Sequence, residues 1–115
     1  MIIIKSCFDD LIINPDSIFW QNRGPEVDPV TGKESEANKD LCFMVMARKN
    51  GAVGALTGRT TEKRARDIIN IIAEALESSV TDMAESNDVY IDMVDVVYRV
   101  FNAERRKAKN EKGND

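Results

Sequence analysis

An α+β fold, with a small antiparallel sheet followed by two long C-terminal helices forming an antiparallel hairpin, is predicted by three features of the sequence. Short β-branched and aromatic runs broken by polar turns fill the first 58 residues. Asn50-Gly51 joins two apolar runs, the pairing that a two-residue hairpin turn with positive φ at both central positions demands. Beyond Thr61 the apolar residues recur every three or four positions, the period of an amphipathic helix.

Taken in order, "IIIKS", "DLIIN" and "SIFWQN" read as strands, separated by Asp9-Asp10 and by Asn14-Pro15-Asp16. Residues 23–40 are polar and rich in turn formers, including Asp28-Pro29-Val30-Thr31-Gly32, and read as a mobile loop or a protruding hairpin. "LCFMVMARKNGAVGALTG" follows. In its first arm Leu41, Phe43, Val45 and Ala47 alternate with Cys42, Met44 and Met46, so both faces are apolar and cover is expected on both sides.

The stretch "GALTGRTTEKRAR" leads into the first helix, which Thr60 or Thr61 can cap, with Glu62 suited to the positive end of its dipole. Ala65, Ile68, Ile69, Ile72, Ala75, Leu76, Val80 and Met83 share one face that packs on the sheet. Ser86-Asn87-Asp88 breaks the chain, and a second helix is expected from Val89 to about Lys109. At 100° per residue, Asp88, Asp92, Asp95, Arg99, Asn102 and Arg106 form one polar stripe on it, and nearly all the rest is apolar up to Phe101. One sheet and one neighbouring helix cannot cover so wide an arc. Val89, Tyr90, Met93, Val97 and Phe101 are therefore expected in a subunit interface, giving a homo-oligomer, dimer or higher, through the second helix. Phe8, Phe19 and Trp20 are assigned to core or interface. The organisation is one domain, 1–115: a β-rich part over 1–58, a two-helix part over 59–110 and a frayed tail over 111–115.

Composition narrows the function. The chain has 115 residues, a net charge of −4 and no histidine, so the usual general base and the commonest transition-metal ligand are both missing. That argues against an enzyme, and no catalytic residue, metal or cofactor is assigned. Cys7 and Cys42 lie in apolar settings without paired spacing and read as free buried thiols. No run approaches the roughly 18–20 apolar residues of a membrane span, and Met1–Lys5 is too short for a secretory h-region, so a cytoplasmic protein without membrane contact is expected.

The charge order says more than the total. From Asp67 to Tyr98 there are eight acids and no lysine or arginine. Arg59, Lys63, Arg64 and Arg66 precede that block, and Arg99, Arg105, Arg106, Lys107, Lys109 and Lys112 follow it. In an antiparallel hairpin both basic clusters converge on the start of the first helix, beside Gly58, Thr60, Thr61 and the free N–H groups there, and form an anion site. The same residues also serve as ordinary helix caps and dipole partners, and both readings stay open at this point. "GRTT" lacks the GK[ST] ending of a phosphate-binding P-loop.

The strand-rich start, the "KNG" hairpin running into "TTEKRARDIINIIAEALE" and a second long helix resemble small phage and prophage proteins, and more narrowly the first type of Thoeris anti-defence protein, a viral sponge family. The likeness is one of layout and covers most of the chain after Leu41. It implies a small oligomer of a sheet and two helices that sequesters the cyclic ADP-ribose signals of bacterial TIR enzymes, and in some members cyclic oligonucleotides, without cleaving them. The partner would be a small anionic nucleotide in the host cytoplasm. Charge geometry selects Arg59, Thr60, Arg99, Asn102, Arg105 and Arg106 as its ligand-binding residues. A second reading is a small phage protein that inhibits or adapts a host defence enzyme through its acidic helix surface. Nucleic acid is disfavoured by the acidic balance.

Overall fold

The computed structural model describes residues 1–34, 39–81 and 88–113, with side chains for all of these but 79–81 and 110–113. Among the described residues, six strands and two helices follow in the order β1 (Ile2–Lys5), β2 (Leu11–Ile13), β3 (Ser17–Asn22), β4 (Phe43–Lys49), β5 (Ala52–Ala55), α1 (Glu62–Thr81), β6 (Val89–Asp92) and α2 (Met93–Gly113). The class is α+β, as the sequence predicts.

The single sheet of that expectation divides into two. One has the order β2-β1-β6 and the other β3-β4-β5. All pairings are antiparallel except β1 with β6, where Ile2 to Lys5 run alongside Val89 to Asp92 in parallel. The division follows from the short link at Asn14-Pro15-Asp16, where Asn14 has φ 47° and its side chain accepts the Ile2 N–H, turning the chain out of the first sheet. The sheets stay joined at the opposite end through the Cys7 N–H on the Leu56 carbonyl (2.8 Å).

The Asn50-Gly51 hairpin forms as read, with φ of 53° and 84° at its two central residues. Val45, Met46 and Ala47 are all buried, so β4 is covered on both faces at its centre. The segment after Arg23 forms a small hairpin, closed by a Val27–Glu34 bridge and by the Asp28 side chain accepting the Val30 N–H (2.8 Å). Of the aromatic residues assigned to core or interface, Phe19 is half-buried under Arg48 (5.6 Å to the ring centre), while Trp20 and Phe8 remain exposed. Both cysteines are free and half-buried.

α1 begins one residue after Thr61, whose hydroxyl accepts the Arg64 N–H (3.2 Å) and whose carbonyl accepts that of Ala65. Thr61 is thus the cap. Thr60 is instead buried and bridged through its backbone to Phe43. Ala65, Ile68 and Ile72 enter the core, with Ile69, Ala75 and Leu76 packed at its margin, as their spacing predicts. The side chain of Val80, and Met83, Ser86 and Asn87 altogether, lie outside the described residues.

The second helix differs from its expected form. Val89–Asp92 is a strand, because Val89 and Ile91 fill the inner face of the first sheet beside Ile2 and Ile4, a gain that outweighs the helical period of the local sequence. The Asp92 carboxylate then accepts the Val94 N–H (3.0 Å) and caps α2. Asp88 and Asp92 therefore leave the polar stripe, and Asp88 pairs with the N-terminal amine (3.2 Å). The helix is described as far as Gly113, and residues 114–115 of the expected frayed tail lie outside the described residues.

One core serves both sheets and both helices, uniting Ile4 and Ile91, Val45 and Ala47, Ala65, Ile68 and Ile72, and Met93, Val96 and Val100. No helix among the described residues is long and apolar enough to cross a membrane.

Candidate functional site

The helices do lie antiparallel. Near the start of α1, the Arg64 Nε–H reaches both carboxylate oxygens of Glu104 on α2 at 3.0 and 3.1 Å, and the guanidinium covers the Phe101 ring at 4.3 Å. Toward the other end, Ala75 faces Asp92 and Val96 across a common hollow.

Between the helices runs a groove made of two adjoining hollows. The first, about 290 Å³, is lined by Lys63, Asp67, Asn70 and Ile71 of α1 and by Arg99, Val100, Ala103, Glu104 and Lys107 of α2. The second, about 270 Å³, shares Ile71 and Arg99 with it and extends to Tyr90, Asp92 and Asp95. Arg99 therefore stands at the junction, with cations toward one end and carboxylates toward the other.

Ion pairing decides which of these charges are available. Lys63 holds Asp67 one turn on (3.2 Å), and Arg64 holds Glu104, so both acids of the first hollow are already neutralised. Arg99 and Lys107 make no ion pair among the described residues. A surplus of positive charge is left over an apolar floor of Ile71, Val100 and Ala103. Such a cleft is suited to a ligand with an anionic end. At the far end Asp95 offers a carboxylate acceptor, while the Asp92 carboxylate is taken by the Val94 N–H.

Of the six residues chosen from charge geometry, Arg99 lines the groove. Arg59 instead donates from Nε to the Gly24 carbonyl (2.9 Å) and anchors the start of the 23–40 segment. Thr60 is occupied as described above. Arg105 and Arg106 are exposed and Asn102 is half-buried on α2, and none of the three lines the groove. Lys63 and Lys107 are the groove residues that sequence reasoning placed in the basic clusters and did not select; an antiparallel register matching 64 with 104 would have brought them together.

A hollow of about 250 Å³ under α1, lined by Ile2, Pro15, Ile18, Ile69, Ile72 and Leu76, is more apolar. Its charged residue, Asp16, is committed to the Asn50 N–H (2.8 Å). Among the described residues no three His, Cys, Asp or Glu side chains are grouped to hold a metal. The Cys7 thiol, next to the core, is pushed above its ordinary pKa by burial and further by the Asp92 carboxylate.

The expected interface residues separate in the same way. Val89 and Met93 are spent on the chain's own core, Phe101 lies under Arg64, and Val97 is half-buried. Among the described residues, the large apolar side chains that α2 leaves exposed are Val94 and Tyr98, one turn apart, and Tyr90 is exposed on β6. No protein-family model, curated protein or solved structure matches the chain.

Proposed function

We propose that the chain is a phage-type anti-defence protein that sequesters a cyclic nucleotide immune signal of the cyclic ADP-ribose class, or a cyclic oligonucleotide, without cleaving it. It acts as a homo-oligomer in the host cytoplasm and uses no cofactor. The observation that carries this reading is the α1–α2 groove, in which Arg99 and Lys107 stand without ion-pair partners among the described residues beside Lys63. Phosphate oxygens would take charge-assisted bonds from these three groups, and the ribose hydroxyls or base amine would face the Asp95 carboxylate. Arg105 and Arg106 would add long-range attraction for the same anion. Exposed Val94 and Tyr98 support self-association through α2.

The test is a thermal-shift screen with ADP-ribose isomers, cyclic di- and trinucleotides and plain nucleotides, followed by mass analysis of the recovered ligand. A ligand that raises Tm by mass action and returns intact supports sequestration. A ligand returned hydrolysed overturns it in favour of an enzyme.

The alternative, an inhibitor or adaptor of a host defence enzyme, is favoured by Val94 and Tyr98 lying exposed beside Asp95 on α2. Absence of any nucleotide shift would leave this reading in place.

A further inference from the structure

The register of the first sheet separates its side chains cleanly. Ile2, Ile4, Ile12, Val89 and Ile91 face the core. The residues between them fall on the opposite face in two rows, Ile13–Ile3–Tyr90 and Leu11–Lys5–Asp92. That second face is also largely apolar, with Leu11 62%, Ile13 47% and Tyr90 60% exposed. Those three side chains alone leave on the order of 350 Å² open, already within the roughly 300–600 Å² of the largest patch on an ordinary monomer. Half-buried Ile3 lies between them, and exposed Met1 and Phe8 adjoin the ends of β1.

The shape of the molecule points the same way. It measures 51 × 46 × 19 Å, so its thickness is that of one sheet and one helix layer. Its radius of gyration, 16.4 Å, exceeds the roughly 13 Å of a compact chain of this length. A sheet apolar on both faces in a two-layer slab lacks a third layer.

We propose that a second copy of this chain supplies it, the outward faces of the two β2-β1-β6 sheets packing together about a two-fold axis. This inference rests on the self-association proposed above and moves its centre from α2 to the sheet. Two properties select a second copy. The face carries both signs of charge, since Lys5, which also holds the exposed Asp9 of its own chain (3.5 Å), and Asp92 are cross-strand neighbours, and a two-fold axis can set each opposite the other residue in the second copy. The apolar rows, with Met1, Phe8 and the flanks of Lys5 and Asp92, also approach the roughly 800 Å² per partner of a stable interface.

The experiment is light scattering coupled to gel filtration across the micromolar range on the full chain and on Leu11→Glu, Ile13→Glu and Tyr98→Glu, with circular dichroism to establish folding. Leu11 is exposed beside Lys5, which already pairs with Asp9, so Leu11→Glu buries no charge within the single chain. The expected result is twice the 12.9 kDa chain mass for the wild type and for Tyr98→Glu, and monomers for both sheet variants. A monomeric wild type overturns this inference and the self-association together. A dimer broken by Tyr98→Glu and kept by the sheet variants overturns the sheet face alone. Should the sheet variants unfold, tetranitromethane treatment of the wild type decides. Tyr90 protected at high concentration and nitrated on dilution, with Tyr98 nitrated throughout, supports the interface; equal nitration of the two at every concentration overturns it.

Discussion

Arg64 and Glu104, forty positions apart, are held together by a single Nε–H that reaches both carboxylate oxygens at 3.0 and 3.1 Å. The same guanidinium lies on Phe101. This contact sets the register of α1 against α2 and so determines which charges meet in the groove. Both side chains are about 30% exposed, which limits the energy of the pair. Arg64→Ala is expected to cost about 1–2 kcal/mol by denaturant unfolding, ion pair and ring contact together. A double-mutant cycle with Glu104→Ala should return a coupling of about 0.5–1 kcal/mol. Arg64→Lys should recover only part of the loss, because an ammonium neither stacks on Phe101 nor offers the same planar donor.

Met93 and Tyr98 separate the inner and outer sides of α2. Met93 is fully buried at the junction with β6, whereas Tyr98 is 62% exposed. Met93→Ala should lower unfolding free energy by about 2–5 kcal/mol, the usual range for a core truncation. Tyr98→Ala should change it by less than about 0.5 kcal/mol when measured on dilute chain. Equal losses would mean that α2 presents the other face to the core.

Stability should fall in alkali through Cys7. Its thiol has a folded pKa above the ordinary value of 9.0, owing first to burial and then to Asp92. Below that ordinary value the thiol is protonated in both states and costs nothing. As pH rises past it toward the folded pKa, the unfolded chain ionises first and is favoured, so the stability is lost there. Cys7→Ala should flatten the alkaline limb of an unfolding-versus-pH curve, and an unchanged slope would contradict the assignment.

Gly51 occupies φ 84° with nothing near its missing side chain. Gly51→Ala should therefore cost about 1–2 kcal/mol, wholly from backbone strain, with no packing change at β4 or β5. Chemical shifts that moved throughout the second sheet would argue for a steric cause instead.

These residues also show how far the sequence could be read. Asn50-Gly51 and the Ala65–Ile68–Ile72 face are local signals, one from backbone conformation and one from period, and both elements form where they point. Val89–Asp92 failed because its pattern satisfies a helix as well as a strand, and the deciding partner, β1, lies at the other end of the chain. Its β-branched Val89 and Ile91, with Asp92 three residues before Asp95, are the capping pattern that could have moved the helix start to Met93. The basic convergence was legible from the order of charges. Its membership was not, because a side chain such as Arg59 is claimed by the Gly24 carbonyl, a contact set by tertiary path alone.

The groove is the central claim, and calorimetry of the best nucleotide from the screen tests it most directly. Arg99→Ala and Lys107→Ala remove the groove cations that hold no ion pair among the described residues, while Arg48→Ala removes the same charge elsewhere, where Arg48 covers Phe19 on the second sheet. The predicted result is a loss of about ten- to a hundredfold in affinity for each groove variant, the range of a hydrogen bond to a charged group, with Tm and the Arg48→Ala affinity unchanged. Wild-type affinity in both Arg99→Ala and Lys107→Ala would contradict the account.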